Sequence, residues 1–510
     1  MRLRPYQEEA VRAIEDGWST FQKQLLVLPT GCGKTVVFSR IAQDRTKRGK
    51  VLILAHRDEL IEQARDKYHT LTGSTAGKIK GSENELMPVT VGSVQTMMRR
   101  AEKFPTDYFK TVIVDEAHHS LSDSYQRILT HFDADVLGVT ATPDRGDKKS
   151  LGRYYDNLAY EYSLRQAVAD GYLCQMKART VPLPIDLSQV KVKVGDFEVN
   201  SIAETLEPYL PKIAEAIMEY AADRKTVVFC PLISIAQELA SMIHGAREVN
   251  GSSPDRKEAI EWFDKAGAGA VLCNAMLLTE GWDCPSVDCV VVLRPTKIRS
   301  LYCQMIGRGT RLAPGKKDLL ILDFLWMSQK HDLCKPADLS VDNVEDKAYV
   351  TSKSEEEEID LFGAASDAVE ARRSKLAEEL AAQAKKKSKL LDPLQWFVSI
   401  DGMDLADYEP TFAWESQPAS DKQIRMIEGY GISAENMSKG QASQIIDRLM
   451  NRRKSGLATP KQVHCLERFG YRNVGTWTFQ QATARINELA AVNWKKYLLR
   501  VKPEDFVWTA

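Results

Sequence analysis

The chain has 510 residues, 44% apolar and 27% charged, with a formal net charge of −1, a balance that fits a soluble protein of two sizeable domains plus a third unit. Its longest apolar runs, such as TVIV and VVVLRP, are strand-sized, and MRLRPYQEEA at the amino end has no signal-peptide core, so neither a membrane span nor secretion is expected and the cytoplasm is the expected location. The nine cysteines form no CxxC pair and no Cys/His quartet at zinc spacing, which excludes a disulfide framework and a zinc site.

Residues 1–165 alternate short β-branched runs, QLLVLPT, KVLILAH, TVIVDEA and VLGVTAT, with helix-length polar segments, the pattern of a parallel α/β sheet. Within this stretch LPTGCGKT, residues 28–35, follows an apolar strand and precedes VVFSRIAQ with helical spacing. That is the context a phosphate loop requires. Gly31 and Gly33 permit the tight backbone that turns N–H groups onto phosphate oxygens, with Thr30 and Cys32 completing the loop. Lys34 is expected to reach the β/γ-phosphates of ATP and the Thr35 hydroxyl to bind Mg²⁺. Leu28 stands where the strict GxxxxGK pattern has its first glycine. A second strand, in VIVDEAHHS at 112–120, ends in two carboxylates. Asp115 suits Mg²⁺, Glu116 suits orienting and deprotonating an attacking water, and His118 suits a link from that site to its neighbours.

From 166 to 200 the chain reads as a connecting segment, PLPIDLSQVKVKVGDFEV within it being extended. The alternation returns over 201–335 in KTVVFCP, GAVLCNA, DCVVVLRP and DLLILDF, a second α/β domain. In it QMIGRGTRL sets Arg308 and Arg311 three residues apart. Residues 336–392 are rich in Ala, Glu and Lys, acidic first and basic last, an order that suits a solvated helical linker. The module 393–510 holds a repeat: ASDKQIRMIEGYG aligns with ATPKQVHCLERFG, and SKGQASQIIDRL with TFQQATARINEL. Each copy reads as two short helices capped by Ser420 or Thr459 and then Ser438 or Thr478. From Gln417 to the end there are 15 Lys/Arg against 8 Asp/Glu, a balance of +7 that leaves −8 for the rest. Lys422, Arg425, Arg452, Arg453, Lys454, Lys461 and Arg468 are candidate phosphate contacts; Trp477 and Trp494 are read as stacking platforms or, more commonly, core.

Over residues 1–335 the chain resembles a superfamily 2 helicase of the DEAH-box type, and xxTGxGKT is a helicase variant of the phosphate loop. LRPYQEEAV resembles the Q-type motif, which implies that Gln7 reads adenine. AHRDELIEQ, with His56 and Arg57, and GSVQT, with Gly92, Ser93, Gln95 and Thr96, resemble motifs Ia and Ib that contact the nucleic-acid backbone. TATP resembles motif III and implies coupling through Thr140 and Thr142; VVFCP is similar to motif IV. LLTEGWDCP is similar to motif V, which implies that Thr279 faces nucleic acid while Gly281 and Asp283 approach the nucleotide. Gln304, Arg308 and Arg311 form the QxxGRxxR of motif VI. The resemblance implies two tandem RecA-like domains with ATP between them, and the two arginines as fingers that cross to its γ-phosphate.

Within that superfamily LRPYQ, NGSSPDRKEAI and VVVLRPTKIRSLYCQMIGRGTRLAPGKKDLLILDF are most similar to the RadD-like bacterial and phage helicases, related to type III restriction motors. That branch implies DNA, single-stranded or branched, in repair, recombination or replication. Some of its members carry a cysteine zinc cluster after the motor, for which this chain has no counterpart. An RNA helicase and an ATPase scaffold without unwinding are the alternatives, and the C-terminal module is open to a protein partner.

Overall fold

The β-branched runs of the first domain become the middle strands of one sheet. The computed structural model describes residues 3–495 except 56–57, 142–150, 187–189, 194–195, 254, 276, 280–281, 328–332, 384–392, 401, 409, 413 and 435, together with 503 and 506. Strands β1 (Lys23–Val27), β2 (Lys50–Ala55), β3 (Gly77–Lys80), β4 (Glu83–Glu85), β5 (Val89–Ser93), β6 (Phe109–Asp115), β7 (Asp135–Thr140) and β8 (Asn157–Glu161) lie in the order β4-β3-β5-β2-β6-β7-β1-β8. All neighbours are parallel except β3 and β4. Helices cover both faces of such a sheet, so β5 is buried along its length and β2 everywhere after Lys50. That double burial is why the runs are continuous and not alternating.

Register then gathers the motifs. Val27 pairs with Thr140, Val139 with Asp115, Leu54 with Val114, and Ala55 with Ser93. The ends of β1, β7, β6, β2 and β5 therefore share one edge, the carboxyl edge where open α/β sheets bind ligands.

The second lobe begins earlier than its sequence pattern suggests. Strand β9 (Gln175–Asp186) lies in what reads as a connector, followed by the two-residue strands β10 (Val192–Lys193) and β11 (Asp196–Phe197). Strands β12 (Thr226–Phe229), β13 (Arg247–Val249), β14 (Val271–Asn274), β15 (Cys289–Val292), β16 (Asp318–Met327) and β17 (Ile359–Asp360) join β9 in the order β13-β14-β12-β15-β16-β9-β17. β9 runs parallel to β16 from Gln175↔Asp318 to Asp186↔Met327, and β17 closes the edge antiparallel to β9. The reason is physical: DLLILDFLWM as an edge strand would present ten residues of unpaired apolar backbone, and β9 covers it. The helix Val344–Glu356 also packs on β9, with Ser354 bonded to Thr180 at 2.8 Å. Both segments, read from sequence as connector and linker, belong in part to this lobe. Its core runs from Val181 and Ile185 through Ile213, Ile217 and Leu239 to Val291, Leu322 and Phe324.

The chain divides into two units at Ala365/Ser366, so both sheets belong to the first. The second unit is helical. Its repeat helices Asp421–Gly429, Lys439–Lys454, Pro460–Arg468 and Phe479–Ala491 open on Ser420, Ser438, Thr459 and Thr478, each of which accepts a backbone N–H three residues on. Gln423 reaches from the first helix of its copy to Lys439 O and Ser443 Oγ; Gln462 makes the same pair of bonds to Phe479 O and Thr483 Oγ1. A single antiparallel bridge, Pro418↔Ser438 or Leu457↔Thr478, recurs as well. The helix Leu361–Gln383 sends Arg372 to Asp407 and Arg373 to Val398 O and Asn473 Oδ1, so the charged segment is anchored at its centre. No described helix is long and apolar enough to cross a membrane.

Candidate nucleotide site between the two lobes

The phosphate loop adopts the backbone its glycines permit: Gly31 has φ 91° and Gly33 φ 77°, a region costly for any residue with a Cβ. Gly33 is the N-cap of the helix Lys34–Arg45, so the loop presents a helix amino terminus to whatever anion enters. Leu28 N bonds to Thr140 O at 3.1 Å, tying the loop to the end of β7. Gln7 lies beneath: its Oε1 accepts from Arg4 N at 3.0 Å and its Nε2 donates to Cys32 O at 3.1 Å. Tyr6 OH donates to the same carbonyl at 2.8 Å, and burial pushes its pKa up to about 12. Cys32 is buried too, and its thiol is pushed up to about 11, with Lys34 and Arg4 opposing. It stays a neutral thiol inside the loop.

Asp115 ends β6, and the next residue departs from it sharply. Glu116 has φ 54° and ψ 59°, left-handed for a non-glycine, at a cost of about 1–2 kcal/mol. Its N–H donates to Asp115 Oδ1 at 3.0 Å, and its Oε2 lies 3.5 Å from His118 Nδ1. Strain of this kind persists where surrounding structure holds a group for use. Sequence patterns carried the carboxylate; they did not carry its backbone conformation.

The second lobe meets this loop directly. A Cβ built on Gly307 would come within 2.5 Å of Thr30 Cβ, and one on Gly31 within 3.4 Å of both Arg311 Cγ and Thr310 Oγ1. Thr310 Oγ1 lies 3.4 Å from Thr30 O. Leu173, from the connection between the lobes, sits 3.0 Å from the same Cβ position on Gly31. Thr310, Gly307 and Leu173 were not singled out in the sequence; the glycine of GRG was a signal for close approach, and Leu173 left none.

Arg308 donates to Trp282 O, and Arg311 pairs with Asp283. Burial lowers the Arg311 pKa, but a guanidinium remains charged at any working pH. Gln304 is buried in the helix Arg299–Gly307. Lys67 adds a further cation: desolvation lowers its pKa, and Arg311, Arg308 and Lys34 act in the same direction against Asp115.

The nucleic-acid candidates are less uniform. Gly92 and Ser93 are buried, with Gly92 filled against Met97 and Leu52, whereas Gln95 is exposed. Thr96 Oγ1 accepts from Gly81 N at 3.1 Å. Thr279 ends the short turn Leu277–Thr279. His56, Arg57, Thr142 and Gly281 lie outside the described residues. Thr140 is buried and supports the phosphate loop through its carbonyl. In the second unit, Arg452 is a correction: it is buried, donating to Ala458 O and Gly475 O, and cannot face a phosphate. Trp477 is core, packed on Tyr471 and Phe506, while Trp494 is 45% exposed.

Residues 1–145 match the family model described as type III restriction enzyme, res subunit, and residues 209–313 match the helicase conserved C-terminal domain. The two matches fall one on each α/β lobe. The putative ATP-dependent helicase IRC3 of Saccharomyces cerevisiae is 33% identical over 377 residues, covering 66% of this chain and 54% of that protein. The chain thus spans just over half of that relative. The DNA 3'-5' translocase XPB2 of Sulfurisphaera tokodaii is 25% identical over 363 residues, 62% of this chain and 80% of its own. Among solved structures, the Type ISP restriction-modification enzyme LlaBIII bound to DNA superposes with TM-score 0.54 at 16% identity, over 99% of this chain and 41% of that one. At that identity the likeness shows the fold alone, the tandem RecA-like arrangement that the two sheets display.

Proposed function

We propose that the chain is an ATP-dependent DNA helicase or translocase of the RadD-like branch, acting in repair, recombination or replication. The observation that carries this reading is the seating of Thr310 and Arg311, from one lobe, against Gly31 of the phosphate loop on the other. ATP bound there contacts both lobes, so hydrolysis and lobe movement are one event. Lys34 holds the β/γ-phosphates and Glu116 takes a proton from the water that attacks the γ-phosphorus. As the bond to the β-phosphate bridging oxygen breaks, Arg308 and Arg311 meet the developing charge. The donor set of the Thr35 hydroxyl and the Asp115 carboxylate, both hard oxygens at the sheet's carboxyl edge, suits Mg²⁺. When bound, that ion would neutralise phosphate charge.

DNA is favoured over RNA by the translocase relative's name and by the motif strings of the RadD-like branch. A cytoplasmic place of action goes with that reading. The test measures ATP turnover with single-stranded DNA, forked DNA and RNA, alongside strand displacement. DNA-stimulated turnover with displacement is expected. Stimulation by RNA alone would overturn the choice of strand, and turnover without displacement or translocation would leave an ATPase switch.

A further inference from the structure

Between motif VI and β16 the loop Leu312–Lys317 carries a lysine that the helicase motifs do not include. The Lys316 ammonium lies within hydrogen-bond distance of four backbone carbonyls, among which its three N–H groups are shared: Pro285 O at 3.3 Å, Val287 O at 2.5 Å, Arg311 O at 2.9 Å and Gly309 O. Pro285 ends motif V and Val287 lies two residues beyond it, while Gly309 lies within motif VI and Arg311 is its second arginine. The stretch from 308 to 316 therefore reaches the stretch from 282 to 287 three times, through Arg308 to Trp282 O, Arg311 to Asp283, and Lys316 to the carbonyl cluster. The first two contacts use the fingers themselves, which must let go to meet a phosphate. The Lys316 contact uses only backbone atoms and leaves both arginine side chains free of it.

We propose that Lys316 is a positioning residue, which holds the Gly309–Arg311 backbone against motif V so that the Arg311 side chain is aimed at the phosphate loop. The inference rests on Arg311 acting as a finger.

The remaining polar groups of that backbone are accounted for in the same frame. Cys174 N donates to Thr310 O at 2.9 Å, and Cys174 Sγ lies 3.5 Å from Gly309 O. All three carbonyls from Gly309 to Arg311 thus have donors, from the lobe connection on one side and from Lys316 on the other. Gly309 itself lies flat on the sheet, since a Cβ there would come within 2.4 Å of Leu319 Cδ1. With the backbone fixed at every carbonyl, Arg311 has only its side-chain torsions left to move. A compact ammonium suits convergent carbonyls, being a point charge with three rotatable donors. Its own pKa is lowered by burial, opposed by Cys174 and Asp288, as fits a cation solvated by protein dipoles in place of water.

The test is a double-mutant cycle in the full chain. Lys316→Met, Arg311→Ala and the pair together are compared for nucleic-acid-stimulated kcat and for ATP affinity, with Lys317→Ala, an exposed neighbour, as control. Lys316→Met is expected to lower kcat about 10- to 100-fold, the range for a misplaced catalytic group, while ATP affinity changes less than about threefold. The double variant should be no slower than Arg311→Ala, because Lys316 acts only through that arginine. Turnover within twofold of the parent, or losses that multiply in the double variant, would overturn the proposal. Should Lys316→Met unfold, Lys316→Gln keeps donors for the carbonyls without the charge and is judged by the same cycle. If Arg311→Ala alone leaves turnover intact, the finger assignment fails first, and the cycle shows that separately.

Discussion

Glu116, left-handed in its backbone and proposed above as the general base, gives the sharpest predictions for single residues. Glu116→Gln should reduce turnover by at least about 10³-fold, near the upper end for loss of proton transfer and water orientation, while nucleic-acid binding with ATP survives, because the closed lobes can still form. Lys34→Ala should remove turnover through loss of the β/γ-phosphate cation. Steady-state turnover with saturating DNA, and filter binding in the presence of ATP, check both. Near-parent turnover in either variant would remove the residue from the site. Arg311→Ala should cut stimulated turnover by about 10³-fold or more with a much smaller change in ATP affinity, because ground-state binding rests on the first lobe. Arg311→Lys should recover only part of that loss, since a point charge lacks the planar fork that now pairs with Asp283. A large drop in affinity with saturated turnover intact would instead make Arg311 a binding residue.

The elements show why some of this was legible and some not. The phosphate loop, β6 with its two carboxylates and the QxxGRxxR helix announce themselves because their chemistry needs fixed residue types at fixed local spacing. The four repeat caps were legible for the same reason, each being a Ser or Thr three residues before a Gln. β9 was not, because its role is set by β16, over 130 residues away, which needs a neighbour. Lys316 and Leu173 were not, since their partners are backbone atoms and a glycine on distant segments, and neither leaves a pattern in its own neighbourhood. Arg452 was misread because it sits in NRRK, where three cations in a row suggest a solvated patch. Burial pushes its pKa down to about 10, and its donors serve Ala458 O and Gly475 O. Arg452→Ala strips those buried carbonyls of a charged donor and should destabilise the repeat module by about 2–3 kcal/mol. The exposed Arg453→Ala should stay within about 0.5 kcal/mol. Hydrogen exchange of the helices Lys439–Lys454 and Pro460–Arg468 reads this locally; equal effects for the two arginines would mean that Arg452 is not a structural cation.

For the molecule as a whole, charge is divided between parts in a way its net value conceals, since the segment from Gln417 onward carries +7 and the remainder −8. With Arg452 assigned to the module's interior, the cations left for a partner are those exposed on the repeat, and Lys422 and Lys461 hold equivalent places in its two copies. If the chain acts on DNA as proposed, these exposed cations add affinity by counterion release, whichever strand structure is preferred. Replacing Lys422, Arg453, Lys454 and Lys461 by Gln in the full chain should leave DNA-independent ATP turnover unchanged, because none of them lies in the motor. If all four meet phosphates, the slope of log affinity against log salt should become shallower by up to about 3.6, at roughly 0.9 per lost contact on duplex DNA. The same substitutions should raise the DNA concentration needed for half-maximal stimulation without lowering the maximum. The measurement is a salt series of DNA binding by fluorescence anisotropy, set beside turnover. An unchanged slope with unchanged affinity would show that the basic face does not touch DNA, and the module's exposed Trp494 and Phe479 would then point to a protein partner.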